Sequence, residues 1–223
     1  MLLETNAVLA MDAGITKLFH TSNNQRIENP RFFERTQKRL ARAQRKVSRR
    51  KKFSKRWKKA CILVAKIHQL IANQRKDFLH KLSTQIIRQF GRIAIEDLNV
   101  KGLAKGMLSK QVLDASWSML FNFLDYKAER AGRIIIRVDP NGTSQTCICG
   151  NTVKKKLKDR IHQCGLCGLV ADRDFVSALV IEQRAFHTTE TNLTRRVVTL
   201  DSLNNTNHYP SGVKTECSRL VSA

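Results

Sequence analysis

Apolar and polar positions change period several times along the chain, and each change predicts an element. An apolar run over residues 7–11 closes on Asp12 and Gly14, and a second short run passes through Lys17, Leu18 and Phe19. This reads as a strand, a turn region and a second strand. Asn23 and Asn24 supply a further turn, and a short strand fits before Pro30. From Glu34 onward the spacing becomes helical. Phe53, Trp57, Ala60, Cys61, Val64, Ile67 and Ile71 recur at steps of three and four, and Phe78, Leu82, Ile86 and Phe90 continue the stripe. A helical hairpin with its break near Ser48 to Ser54 is expected.

Gly91 ends that helix, and the segment RIAIE predicts a buried strand that finishes on Glu96. Asn99, Gly102, Lys105, Gly106 and Lys110 read as a loop, and residues 111–130 as one helix capped by Gly132. RIIIRVDP then predicts another buried strand, stopped by Pro140. A cysteine-rich segment follows, with a last helix opening near Asp174. Parallel strands joined by helices beside an antiparallel meander make an α/β fold, a mixed sheet of the ribonuclease-H-like kind. The expected organisation is a core over 1–140 with a helical hairpin inserted at 31–90. A metal ribbon at 141–171, the last core helix at 172–188 and a flexible, Thr/Asn/Ser-rich tail at 189–223 complete it.

Charge narrows the partners. The chain has 223 residues, with 41 Lys and Arg against 18 Asp and Glu, a formal net charge of +23. Arg35, Lys38, Arg39, Arg42, Arg45, Lys46, Arg49, Arg50, Lys51, Lys52, Lys55, Arg56, Lys58 and Lys59 crowd into the hairpin. A solvated helix face is the bland explanation. Phosphate contact is favoured, because so many like charges repel one another without a polyanion. No run approaches the roughly 18 apolar residues of a membrane span, so a membrane is not an expected partner. The apolar N-terminus lacks the basic first segment of a signal peptide and carries Glu4 and Asp12, and it reads as the first strand.

Against that basic background three spaced acids stand out: Asp12, Glu96 and Asp174. The first two end apolar strands and the third opens a helix, a placement that can gather carboxylates at one end of a sheet. Hard oxygen ligands suit Mg²⁺ or Mn²⁺ and phosphodiester hydrolysis, so the three are candidate catalytic and metal-binding residues of a nuclease. Taken singly, Asp172 or Asp174 can instead cap a helix, and Glu96 or Asp97 can be exposed strand ends. Asp12 has no local partner. Cys147, Cys149, Cys164 and Cys167 form a candidate four-thiolate Zn²⁺ site, expected in a reducing compartment such as the cytoplasm. The first hook, Cys147-Ile-Cys149, is one residue shorter than usual. His162 is a fallback ligand, with a surface role as the expectation. Lys154, Lys155, Lys156, Lys158 and Arg160 between the hooks suit a phosphate backbone. Cys61 is expected to be a buried thiol, and Cys217 lies in the polar tail. His20, His68, His80, His187 and His208 are scattered and assigned no catalysis, and no Walker-type loop is present.

In order, the segments MDAGI, HQLIANQRKDFLHKLST, IEDLNVKGL, TSQTC, CGLCG and LVADRD resemble the TnpB/OrfB-type proteins of insertion sequences, relatives of type V CRISPR effector nucleases. The resemblance spans roughly residues 6–186, and its helical signature falls on His68, Asn73, Arg75, Asp77, His80, Lys81, Ser83 and Thr84. It implies a RuvC-like nuclease with Asp12, Glu96 and Asp174 as metal ligands, Asp174 being preferred to Asp172. It also implies an inserted zinc ribbon and cleavage of DNA directed by a guide RNA. Three departures are visible. Val176 stands where the family has Asn, the first cysteine hook is short, and the helical and barrel-like region that usually precedes the nuclease strand is missing. The last suggests a truncated copy or a start placed too late. The alternatives are a nucleic-acid-binding remnant or regulator that does not cut, and a basic zinc-ribbon RNA-binding structural protein.

Overall fold

A computed structural model describes residues 5–156 and 158–186. The tail expected over 189–223, together with Cys217, His187 and His208, lies outside them. The three N-terminal strands fall where the apolar runs and the Asn turn place them: β1 (Val8–Ala13), β2 (Lys17–Thr21) and β3 (Arg26–Glu28). The hairpin follows as α1 (Phe32–Ser48) and α2 (Lys55–Gln89), then β4 (Arg92–Glu96), the short helices α3 (Val100–Leu103) and α4 (Ser109–Ala115), α5 (Trp117–Ala131) and β5 (Ile134–Val138). A small ribbon, β6 (Ile161–Gln163) with β7 (Val170–Asp172), leads into α6 (Arg173–Phe186).

The main sheet has the order β3-β2-β1-β4-β5. β1 pairs antiparallel with β2 and parallel with β4, and β4 pairs parallel with β5. This is the mixed, ribonuclease-H-like sheet that the element order predicts. Alternation along the strands splits the core in two. Leu9, Met11, Ile93 and Ile95 face α2 and α5, burying against Leu79, Ile86, Leu120 and Leu124. On the opposite face Ala10, Ala94 and Val138 pack on Ile181 of α6. Asp12 and Glu96 share the parity of Ala10 and Ala94, so they belong to the α6 side. Gly91 is required at the start of β4: its N–H donates to the Ala7 carbonyl at 2.9 Å, and a Cβ there would sit 1.7 Å from the Thr5 carbonyl oxygen.

Four local readings are corrected. Residues 111–130 form two helices, α4 and α5, separated at Ser116, whose φ of 55° lies in the left-handed region. Part of the expected loop after β4 is a helical turn, α3, capped by the Asn99 side chain. β5 is an edge strand with Ile134 54% exposed, so its apolar run does not signal two buried faces. Cys61 is only half-buried.

The α4/α5 break has a tertiary cause. α1 opens on Arg31 at φ 50° without a side-chain cap of its own. Asp114, buried near the end of α4, accepts the Phe33 and Glu34 N–H groups at 3.1 and 3.4 Å and so caps α1 from another helix. The same carboxylate accepts two bonds from Arg75 of α2, at 2.6 and 3.1 Å. One side chain thus fixes three helices. A second bond set joins α5 to α2, where the Lys127 ammonium donates to the His80 carbonyl and to the Ser83 and Thr84 hydroxyls at 2.7–2.8 Å. The His80 ring stacks on Phe123 at 4.0 Å. Arg75, His80, Ser83 and Thr84 of the helical signature therefore hold the helices to one another.

Replacing Asp114 by Ala removes a buried ion pair and two capping bonds. Arg75 keeps some solvent contact, so a loss of about 2–3 kcal/mol is expected in urea unfolding. Asp114→Asn, which can still cap, should lose less. Equal stability of Asp114→Ala and the parent chain would show that the helices are held by apolar packing alone.

Candidate active site and metal centre

Each of the three spaced acids reaches the sheet end by a separate route. Asp12 is the fifth residue of β1 and Glu96 the last of β4, and the parallel register, Met11 opposite Ile95, makes them the next pair along. Asp174 lies in the first turn of α6, which packs on β1 and β4. Burial, followed by the charges of Glu96 and Asp174, pushes the Asp12 carboxyl well above its ordinary range, with Arg173 partly opposing. Glu96 and Asp174 thus lie near enough to the buried Asp12 for their charges to act on it. Glu96 is also raised by burial, moderated by a hydrogen bond from the Thr143 hydroxyl at 2.6 Å and by Arg184. Arg184 in turn donates to the carbonyls of Asp139 and Asn141, which pins the loop carrying Thr143 against α6.

Asp172 and Asp174 have different roles. Asp172 Oδ1 accepts the N–H groups of Asp174 and Phe175 at 2.9 and 3.4 Å, the pattern of a helix cap. His20 Nδ1 lies 3.4 Å from the same oxygen, and Arg26 donates to the other at 3.3 Å. Burial alone would raise Asp172, but the His20 contact and the backbone donors outweigh it and hold the carboxyl at about 2. His20, Asp172 and Asp174 cluster closely enough to suggest a cation site. With both Asp172 oxygens engaged, that cluster is a structural brace. Asp174 receives Arg173 on Oδ1 at 3.0 and 3.1 Å, with Arg160 3.9 Å from Oδ2. Val176 is buried and apolar and brings no polar group to the site.

The four ribbon thiols converge, with every sulfur within 4.8 Å of the others. Cys147–Cys167 and Cys149–Cys164 sulfur distances are 3.6 and 3.7 Å. A tetrahedron with metal–sulfur bonds of about 2.3 Å has edges of about 3.8 Å, so the donor set fits a tetrahedral thiophilic ion. The short hook still delivers both sulfurs because its turn is tighter. Gly150 N–H closes onto the Cys147 carbonyl, three residues back, where Gly168 N–H reaches Cys164, four residues back. Gly150 and Gly168 both hold positive φ, 86° and 73°. His162 is not the surface residue expected. It is fully buried, with Nδ1 2.6 Å from the Lys155 ammonium, and burial and that cation lower it to about 4.

Spacing alone did not reveal Thr143, Arg184 or Asp114, since each acts on a residue at least 39 positions away. The one available signal was TSQTC, which contains Thr143.

Comparison with known proteins places these features in context. The family model OrfB_IS605, described as "Probable transposase", matches residues 2–107, and that of the Cas12f1-like TNB domain matches residues 117–181. A Streptomyces pristinaespiralis protein provisionally named an RNA-guided DNA endonuclease is 42% identical over 178 residues, covering 78% of this chain and 44% of the relative. The Escherichia coli K12 protein InsQ, named in the same way, is 34% identical over 186 residues, covering 75% and 46%. The chain thus spans less than half the length of these relatives. Among solved structures, a chain of the Cas12f1-sgRNA-target DNA complex superposes with a TM-score of 0.57 at 18% identity, covering 82% of this chain and 51% of that one. A CRISPR-Cas12f ternary complex gives 0.58 at 18%, covering 81% and 40%. At that identity the likeness is one of fold.

Two outcomes are expected. A carboxyl raised in the folded state favours folding below its unfolded value of about 3.9, and that contribution is lost as pH rises through the folded value. Asp12→Asn should therefore raise the Tm of chelator-treated protein at neutral pH, on the order of 2–4 °C per kcal/mol relieved, with the gain vanishing near pH 4. A lower Tm at neutral pH would mean the acids do not repel. For the ribbon, Cys149→Ser should lower both the Tm and the bound zinc measured by mass spectrometry, from about one ion per chain. Unchanged zinc content would exclude the short hook from the site.

Proposed function

This chain belongs to the TnpB/OrfB-type family of insertion-sequence proteins, and from that premise we propose that it is the RuvC-like nuclease part of a transposon-associated DNA endonuclease. The observation that carries the proposal is geometric: Asp12 and Glu96 are next in register on adjacent parallel strands, and Asp174 opens the helix packed on both, inside a chain of charge +23. An all-carboxylate donor set fits Mg²⁺ or Mn²⁺. Such ions, when bound, would activate water and stabilise the leaving oxygen of a phosphodiester. The residues' own tasks follow from their contacts. Asp12 and Glu96 present oxygen ligands from adjacent strands, and Thr143 fixes the rotation of Glu96. Asp172 holds the first turn of α6 so that Asp174 faces them, and Arg160 and Arg173 add positive charge where a phosphate would approach. The ribbon thiols hold Zn²⁺ as a structural ion that stiffens the lead into α6. DNA is the proposed substrate. A guide RNA is the proposed second partner, in keeping with the names of the relatives and with the basic hairpin.

A second reading, binding without cutting, draws on Val176, which leaves the acid site without the polar neighbour its family position usually supplies.

Purified protein should nick single- or double-stranded DNA only with Mg²⁺ or Mn²⁺, and Asp12→Ala, Glu96→Ala and Asp174→Ala should each lower the rate on the order of 10²–10³-fold. Binding at low salt should survive these changes. Steeply salt-dependent binding with no metal-dependent product would favour the second reading, and activity unchanged by all three substitutions would place cleavage elsewhere.

A further inference from the structure

The tip of the α1/α2 hairpin combines three features that packing does not explain. Phe53 has φ 66°, a left-handed conformation that costs an ordinary L-residue roughly 1–2 kcal/mol, and is 76% exposed. Its ring lies 5.6 Å from that of Trp57, tilted by 54°. Eight basic residues between positions 49 and 59 surround this pair, all exposed, and none forms an ion pair among the described residues. No acidic residue occurs between Glu34 and Asp77.

A hydrophobic staple at the start of α2 would be the ordinary account of an aromatic residue just before the Ser54 cap, but a staple buries its ring. Phe53 remains in solvent. Lys55, Arg56 and Lys58 occupy the first turn of α2, where no acid is present and the helix dipole already places positive charge. Backbone strain, an exposed ring and uncompensated charge at a positive helix end are three costs at one point. An anion that also offers a flat apolar face relieves two of them at once.

We propose that the hairpin tip is a clamp for an unpaired nucleotide, with the Phe53–Trp57 pair stacking on the base and Arg50, Lys51, Lys52 and Lys55 engaging the flanking phosphates. Paired bases hide their faces within the duplex, whereas an unpaired one exposes a π-surface to an aromatic side chain. The proposal rests on the nucleic-acid reading above and adds the state of the strand and the residues that recognise it. Single-stranded DNA and RNA share this chemistry.

The test uses the full chain with labelled single-stranded DNA, single-stranded RNA and duplex DNA of equal length, and with vesicles containing phosphatidylserine. Trp117 is only 3% exposed, so Trp57 is the tryptophan whose emission a stacked base would quench. Single strands should quench it and duplex should not, and whichever single strand binds more tightly identifies the source of the nucleotide. Phe53→Ala should weaken single-strand binding about ten-fold with little effect on duplex, and Phe53→Tyr should restore it. Phe53→Gly should raise Tm while losing the same affinity. Lys51→Ala with Lys52→Ala should weaken both forms and flatten the salt dependence of single-strand binding by about 1.4 in log–log slope. Three results would overturn the proposal: no quenching, equal loss of duplex and single-strand binding in Phe53→Ala, or Phe53-dependent binding to the vesicles alone. Metal-dependent cleavage measured on the same preparations separates the two readings. Cleavage that persists while Phe53→Ala has no effect removes the clamp only, and a parent chain that binds none of the nucleic acids removes the reading beneath it.

Discussion

The close seat of α6 on two alanines is the constraint on which the site depends. Ala10 and Ala94 lie on adjacent parallel strands, are wholly buried, and meet Ile181 across the sheet. Their small side chains let the helix approach the strands, and Ala178 on α6 is equally buried. Two residues beyond each alanine on the same face come Asp12 and Glu96. The helix seated on them carries Asp174, one of the charges that raise the Asp12 carboxyl. A larger residue at either alanine would overpack this seat and lift α6 away from the strands.

The electrostatic pattern is one of unresolved tension in particular places. Carboxylates repel at the sheet end, while cations repel along α1 and at the start of α2. Several charges elsewhere are paired. Asp114 meets Arg75, Asp125 meets Arg137, and Asp77 meets Lys81. Foldable sequences avoid local conflict except where a ligand resolves it. The two conflicts here have opposite sign, one calling for a cation and the other for a polyanion.

Much of the architecture was legible because it is locally encoded. Gly14, the Asn pair, Gly91 and Gly132 punctuate the chain, and the change from helical period to a continuous apolar run locates β4 between α2 and the loop after Glu96. The hairpin break near Ser48–Ser54 could be placed because the charge run and Ser54 interrupt the stripe. What escaped the sequence is tertiary. Nothing near Ser116 announces a left-handed residue, since the break serves Asp114 and its contacts to α1 and α2. The apolar run of β5 resembles a central strand because sequence does not say which strand lies at an edge. His162 looked like a surface residue, yet its partner Lys155 follows it under the ribbon. The three acids could be chosen as candidates from strand ends and a helix start, but Thr143 and Arg184, which orient Glu96, touch it from distant segments.

The ribbon and the acid site are mechanically one unit. β7 ends at Asp172 and α6 begins at Arg173, so no loop separates them. The Arg173 N–H donates to the Arg160 carbonyl, just before β6, and Asp172 pairs across the ribbon with Ile161. From the other side, Arg26 and His20 of the main sheet grip Asp172. The junction is therefore clamped between two sheets, and the orientation of Asp174 follows from both. A two-stranded ribbon of three residues a strand cannot hold its own shape in water. The four thiols converge there, a donor set that fits a tetrahedral ion able to add the missing rigidity. The position of Asp174 is thus set by the ribbon and the main sheet together, which ties the last acid to the small element inserted immediately before it.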